Sequence, residues 1–261
     1  MLAGERQQLI LEALRESRTA TVAELATRFG VTSETIRRDL KALEDTGLIH
    51  KTHGGVLLRA SVVPVQPFRV RTGTAIAEKK AIARAAADLV EDGDTIIIDS
   101  GSTTGEVAKL LRGKRELTVI TNSLPVAMEL GGVAGIRVLL PGGLLNDDGV
   151  ALVGPDVERS LRRYQAAKAF IGVSGIDPAH GFSVSNVFEA EAKQAMIERV
   201  GKVIIVADHG KFGIRALINF APLTAAAEII TDEGVNAASP QLMEAIRALG
   251  VTVRAVPTGK A

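Results

Sequence analysis

The sequence predicts a small winged helix-turn-helix domain followed by a larger, mostly parallel α/β domain. Two observations carry this. Between residues 22 and 44, apolar side chains recur at three- and four-residue spacing on either side of a single glycine, Gly30. From Ala75 onward, helix-period segments alternate with short, continuous, β-rich apolar runs, the signature of strands buried on both faces.

Size and composition are compatible with two such domains. The chain has 261 residues, 46% of them hydrophobic but only 3% aromatic, so the core must be aliphatic. With no cysteine, a disulfide framework, a thiolate nucleophile and a Cys-ligated metal are excluded. The first residues lack an apolar targeting segment and no run approaches a membrane span, so a cytoplasmic location is expected. Net charge is +1, and residues 1–60 hold nine Lys and Arg against eight Asp and Glu. Any affinity for nucleic acid must therefore come from where the charges sit.

Leu9, Ile10, Ala13 and Leu14 give residues 4–16 the apolar stripe of a first helix. Val22, Leu25, Ala26 and Phe29 make one face of a second. Gly30 then stands where the chain must turn sharply, and Thr32 or Ser33 can cap the helix that follows. In that helix Ile36, Leu40 and Leu43 point inward, which puts Glu34, Arg38 and Lys41 on the outer face with Thr35 and Arg37 beside them. Together with Ser33, these hydroxyl, carboxylate and cationic groups suit the base edges and phosphates of a major groove. An ordinary helical hairpin with a solvated charged face is the plainer alternative. Residues 47–58 read as a β-hairpin around a Gly-Gly turn, which completes a winged helix. Lys51 and His53, with His50, could reach the DNA backbone from that wing; the equal alternative is that the histidines merely satisfy the turn. The DNA-binding domain is accordingly set at 1–59.

Residues 60–74 carry two prolines among A-S-V-V-P-V-Q-P and no regular period, and read as a linker. The remaining domain, 75–261, has expected strands at 95–99, 117–121, 136–140, 168–173, 202–207, 227–231 and 251–256. Helices are expected at 77–90, 103–111, 123–130, 155–163, 189–199 and 239–249.

Open α/β sheets bind ligands beyond the C-terminal ends of their strands. The first strand ends in Asp99, Ser100, Gly101, Ser102, Thr103 and Thr104 and runs straight into a helix, an anion cradle suited to phosphate. Asn122 ends the second strand, residues 172–177 follow the fourth, and Asp208 and Lys211 follow the fifth. Glu189 and Lys193 share a helix face at i, i+4. No metal-ligand spacing and no Ser/His/Asp triad is legible, so neither a metal nor a catalytic residue is assigned, and no cofactor is expected.

These residues bring a family into view. The T-I-R-R-D-L run at 35–40, H53-G-G, D99-S-G-S-T-T, T121-N-S-L, K168-A-F-I-G, E189-A with Lys193, and D208 with K211-F-G resemble the DeoR family of bacterial transcriptional regulators over nearly the full length. The resemblance implies a winged helix joined to a Rossmann-like domain similar to ribose-5-phosphate isomerase, which senses a phosphorylated sugar. It implies double-stranded operator DNA as partner, a small sugar phosphate as effector, and repression of a carbohydrate operon. It adds Lys79 and Lys80 to the effector candidates and assigns Arg37 and Arg38 to DNA. Two departures lie near the presumed pocket: Ala167 where the family commonly has Asp, and His209-Gly210 where small hydroxyl residues are usual. An isomerase is the rival reading, but of its D-G-A-D loop only Ser174-Gly175-Ile176-Asp177 is present. A second rival is a DNA-binding activator or architectural protein without an effector. Because one winged helix makes a small interface, a homo-oligomer, dimer or tetramer, is expected.

Overall fold

A computed structural model describes residues 6–7, 9–10, 13–14, 19–45, 49–52, 55–58, 66–146, 150–238 and 240–259. The chain divides into two compact units, Met1–Val63 and Pro64–Ala261.

In the smaller unit, backbone at residues 6–7, 9–10 and 13–14 is helical. Strand β1 (Thr19–Thr21) leads into helix α1 (Val22–Phe29), and α2 (Ser33–Asp45) follows. Thr21 starts α1 through a reciprocal cap: its hydroxyl accepts from Glu24 N–H at 3.1 Å while its own N–H donates to the Glu24 carboxylate at 2.7 Å. Gly30 ends α1 at φ 63°, ψ 35°, a left-handed conformation that glycine adopts without strain. Of the two cap candidates for α2, Thr32 takes the role; its hydroxyl accepts from Thr35 N–H at 3.2 Å.

Strands β2 (Ile49–Thr52) and β3 (Gly55–Leu58) form the expected hairpin. β1 adds to β3, giving the order β1-β3-β2. That third strand was not expected, because three residues joined to a helix start leave no alternating pattern. Ile10, Leu14, Leu25, Ile36, Leu40, Ile49 and Val56 form the aliphatic core.

The larger unit is built on a seven-stranded sheet. Its strands are β4 (Thr95–Ile98), β5 (Leu117–Ile120), β6 (Ile136–Leu139), β9 (Ala166–Ile171), β12 (Val200–Val206), β14 (Glu228–Asp232) and β15 (Thr252–Val256). The order is β15-β14-β12-β9-β4-β5-β6, with every pairing parallel. All seven coincide with the expected strands to within two residues at their starts and ends. Two aliphatic cores lie on its two faces, and β4 feeds both: Ile97 packs into one, Ile96 and Ile98 into the other. The second core takes side chains from helices α4 (Ile76–Ala87), α5 (Ser102–Lys109) and α6 (Leu124–Leu130). The first takes them from α7 (Pro155–Leu161), α8 (Val187–Ile197) and α10 (Pro240–Ala248), the last following α9 (Gly234–Ala238).

Several elements depart from expectation. Within the supposed linker, residues 66–74 are ordered, and α3 (Phe68–Thr72) belongs to the larger unit. Its five residues are too few to show a helical period. A short antiparallel sheet, β10 (Gly175–Asp177), β11 (Gly181–Val184) and β13 (Ile218–Ala221), and a two-stranded hairpin, β7 (Leu144–Leu145) with β8 (Leu152–Val153), were likewise absent from the sequence reading. Among the described residues, no helix is long and apolar enough to cross a membrane.

Candidate functional site

On α2 the expected polar face is solvent-facing. Ser33, Glu34, Arg37, Arg38 and Lys41 are exposed, while Thr35 is half-buried with its hydroxyl 2.9 Å from that of Thr32. Glu34 lies 3.6 Å from the Arg37 guanidinium and 4.0 Å from that of Arg38. Such exposed pairs are worth little, so both guanidiniums can exchange Glu34 for a phosphate or a base edge. Asp39, inside the T-I-R-R-D-L run, does a different job. It is buried and takes a two-pronged ion pair from Arg6, at 2.6 and 3.2 Å, which ties the helical backbone at residues 6–7 to α2. Lys51 pairs with Val56 through its backbone, but its side chain lies outside the described residues, as does His53 altogether.

In the larger unit the chain runs from β4 outward to β5 and β6, then returns to β9 on the other side of β4 and proceeds the opposite way. Connections from the two adjacent strands therefore diverge, and a crevice must open between their C-terminal ends. A cleft lies there. Its walls include Ser100, Gly101, Ser102 and Thr103 from the end of β4 and start of α5, Gly172 to Ser174 after β9, and Val206 and Ala207 at the end of β12. Of the other expected residues, Glu189, Lys193 and Lys211 also line it.

Lys193, on the cleft wall, belongs to a buried charge pair. The Asp99 carboxylate, 1% exposed, accepts from the Lys193 ammonium and, at 3.0 Å, from Gly172 N–H. One carboxylate thus ties the ends of β4 and β9 to helix α8. Gly101 caps α5 without a side chain, so the first-turn N–H groups have no side-chain cap, and Ser102 and Thr103 of that turn line the cleft. A Cβ at Gly101 would stand 3.1 Å from Thr104 Oγ1, and that buried hydroxyl donates back to Gly101 C=O at 3.0 Å. Thr104 shapes the loop and does not line the cleft.

The other expected residues are distributed as follows. Asn122 is buried beside the hairpin, donating to Leu152 C=O at 3.0 Å; its side-chain oxygen has no partner among the described residues. Asp208 caps the 3-10 turn His209–Lys211 by accepting from Gly210 N–H at 3.1 Å. Lys79 is buried under α3, where its ammonium donates to the carbonyls of Arg71 and, at 2.7 Å, Thr74. Burial lowers its pKa, and the attraction of Asp208 works against that shift. Lys80 is exposed and off the cleft wall.

Sequence reasoning missed Phe68, Arg71, Asn146 and Val150 on the wall. The N-D-D-G run at 146–149 was an available turn signal. Asn146 accepts from Val150 and Ala151 N–H, both at 3.1 Å, and donates to Glu189 at 3.4 Å. F-R-V-R-T-G at 68–73 held a helix end in its glycine.

Chemically, the hydroxyls of Ser100, Ser102 and Thr103, cationic side chains and the start of α5 line the cleft together with one carboxylate, Glu189. That set binds an anion carrying hydroxyl groups. Proton abstraction needs a carboxylate with a free lone pair aimed at a carbon acid, and Asp99 is committed to Lys193 and Gly172. Asp177 is committed too: it accepts from Arg215 at 2.9 Å, from the His180 ring at 3.0 Å and from two backbone N–H groups. Burial raises the Asp177 pKa, and those donors outweigh it to leave the group below the usual carboxylate range.

Known proteins match both units. The family profile "DeoR-like helix-turn-helix domain" covers residues 6–62, and "DeoR C terminal sensor domain" covers residues 74–233. The chain is 40% identical over 260 residues to an uncharacterised HTH-type transcriptional regulator, YulB, of Bacillus subtilis, spanning 100% of this chain and 99% of that one. It is 34% identical to a putative aga operon transcriptional repressor of Escherichia coli O157:H7, over 96% of this chain and 93% of the relative. It is 32% identical to the glycerol-3-phosphate regulon repressor of Escherichia coli K12, over 89% and 92%. A solved D-ribose-5-phosphate isomerase in complex with phospho-erythronic acid overlaps 51% of this chain and 52% of its own at 18% identity, with a TM-score of 0.39. A likeness that loose decides nothing about the site.

Proposed function

The chain belongs to the DeoR family of transcriptional regulators, and from that premise we propose that it represses a carbohydrate-metabolism operon until a phosphorylated sugar fills the cleft of the larger unit. It is a regulator and not an enzyme. One observation carries the choice of ligand: the uncapped start of α5, with Ser102 and Thr103, faces the cleft from the divergence point of β4 and β9. The relative named for a glycerol-3-phosphate regulon fits a small phosphorylated polyol as the ligand class. Arg37, Arg38 and Lys41, with Ser33, Glu34 and Thr35, form the DNA-reading face, and a homo-oligomer supplies the second half-site. The effector acts through unequal affinity for the DNA-bound and DNA-free protein; nothing else can shift that equilibrium.

Operator binding measured at one stated salt concentration, with and without a panel of phosphosugars, tests this. One compound is expected to release the DNA. Thr103→Asp places a negative charge in the cradle and should keep operator binding while abolishing release. Arg38→Ala should weaken operator binding by about 1–3 kcal/mol if it reads a base, with ligand binding intact. Release of DNA by a phosphosugar from the Thr103→Asp protein at wild-type concentration would move the site elsewhere.

A further inference from the structure

We propose that His209 is a positioning residue of the cleft: it holds the turn that carries Lys211 against the buried Asp232, and that hold, with the affinity for an anion, strengthens when its ring is protonated. This rests on the reading of the cleft as a phosphate site.

The first argument is mechanical. Lys211 reaches the cleft wall from a 3-10 turn of three residues, His209–Lys211, too short to keep its place unaided. Two anchors fix it. After the turn, Phe212 is buried and Gly213 N–H donates to Ile176 C=O at 2.8 Å, which fastens the chain to β10. Before Lys211 the anchor is Asp232, a carboxylate at the end of β14 that is 1% exposed. One of its oxygens accepts from His209 N–H at 2.8 Å; the other accepts from the His209 ring at 2.7 Å and from Gly234 N–H at 3.0 Å. The fit is close: a Cβ on Gly234 would stand 2.7 Å from both that second oxygen and His209 Nδ1. Lys211 is thus slung between β14 and β10. Removing the ring leaves its turn half of the first anchor.

The second argument is electrostatic. An ionised carboxylate only accepts, so Nδ1 carries a hydrogen whether the ring is neutral or charged, and Nε2 is the nitrogen that titrates. The tie to Asp232 exists in both states and becomes an ion pair when Nε2 takes its proton. The bond to Asp232 raises the His209 pKa, burial opposes it, and Asp208 in the turn and Glu78 on α4 add to the rise. Lys79, also on α4, lies within electrostatic reach of Asp208 and Lys211. From α9 the ring meets the backbone of Gly234. Protonation therefore tightens the turn and adds a positive charge two residues from Lys211. An anion in the cleft gains on both counts as pH falls.

Inorganic phosphate is the probe, titrated calorimetrically into the full-length protein and its variants between pH 6 and 8. His209→Asn keeps a donor where Nδ1 stands but cannot be charged, and His209→Ala removes the donor. At pH 8, His209→Asn should bind like the wild type and His209→Ala about three- to tenfold more weakly. In a Lys211→Met background, His209→Ala should change nothing further. At pH 6 the wild type should bind about two- to fivefold more tightly than His209→Asn; comparing the two proteins cancels the titration of phosphate itself. A loss from His209→Ala that is equal in both backgrounds marks a merely structural histidine and overturns the positioning role, as does an equal loss from Asn and Ala at pH 8. Should His209→Ala fail to fold, the pH profile still decides: a ratio of wild-type to His209→Asn affinity that does not change with pH overturns the inference. Phosphate lost in Thr103→Asp but unchanged in His209→Ala overturns it and leaves the phosphate site standing; no phosphate binding by the wild-type protein overturns both.

Discussion

The Asp99 carboxylate and the Lys193 ammonium face each other with almost no water between them and the protein: their side chains are 1% and 5% exposed. Removing one partner of such a pair leaves an uncompensated buried charge. Lys193→Met should therefore destabilise the larger unit by about 3–5 kcal/mol in urea unfolding, and adding Asp99→Asn should recover part of the loss. An effector-contacting lysine with no structural duty would give no such loss. A second residue-scale prediction concerns His209, whose ring lies 2.7 Å from the Asp232 carboxylate. That hydrogen bond holds the His209 pKa above its ordinary 6.5 against the opposing effect of burial. Burial pushes Asp232 up, and the donors from His209 outweigh it to leave Asp232 below 3.8. A pKa raised in the fold stabilises fully below the unfolded value and is lost as pH rises through the folded one. The contribution of His209 is thus fully present below about pH 6.5 and is lost as pH rises from there through the raised value of the fold. Melting temperatures between pH 6 and 8 should fall less steeply for His209→Gln than for the wild type. Neither role was legible in the sequence: i, i+4 spacing put Glu189 and Lys193 on one face but gave no sign that a strand carboxylate waited beneath it.

At the scale of elements, the turn between α1 and α2 depends on Gly30. A Cβ there would meet nothing within 4 Å, so the cost of substitution is conformational alone. Gly30→Val should cost roughly 1–2 kcal/mol of stability in the smaller unit, and Gly30→Asn less, since asparagine visits the left-handed region more readily. Equal losses for both would point to packing instead. This turn was readable because glycine between two periodic stretches has one meaning. The seven parallel strands were readable because burial on both faces writes a continuous apolar run, as in T-I-I-I at 95–98. β7, β8 and β10 are two or three residues long, too short to write an alternating period, and exist only as pairs such as Gly175 against Ser183. Local pattern cannot announce a pairing of that kind. Helix α3 escaped for a related reason: a side chain from α4, Lys79, closes its end.

Across the whole molecule, each unit has an aliphatic core of its own, Ile36 and Leu40 in one, Phe170 and Ile204 in the other. Separate cores favour separate unfolding transitions. Calorimetry of the full chain should show two, with Gly30→Val lowering only the smaller and added phosphate raising only the larger; a single transition moved by both would mean that the units melt as one. The cleft itself was half legible. Residues 99–104 announced it, because hydroxyls and glycines at a strand-to-helix turn are a local signal, whereas Arg71 and Asn146 reach the wall from segments the sequence presents as connections. The aliphatic composition has one more consequence. The chain contains no tryptophan and a single tyrosine, Tyr164, which is partly buried against the core on the α8 side of the sheet. Its near-ultraviolet emission is therefore almost dark. Phe68→Trp would set one indole in the cleft wall beside Arg71, and every photon excited at its red edge would come from the place where the ligand arrives.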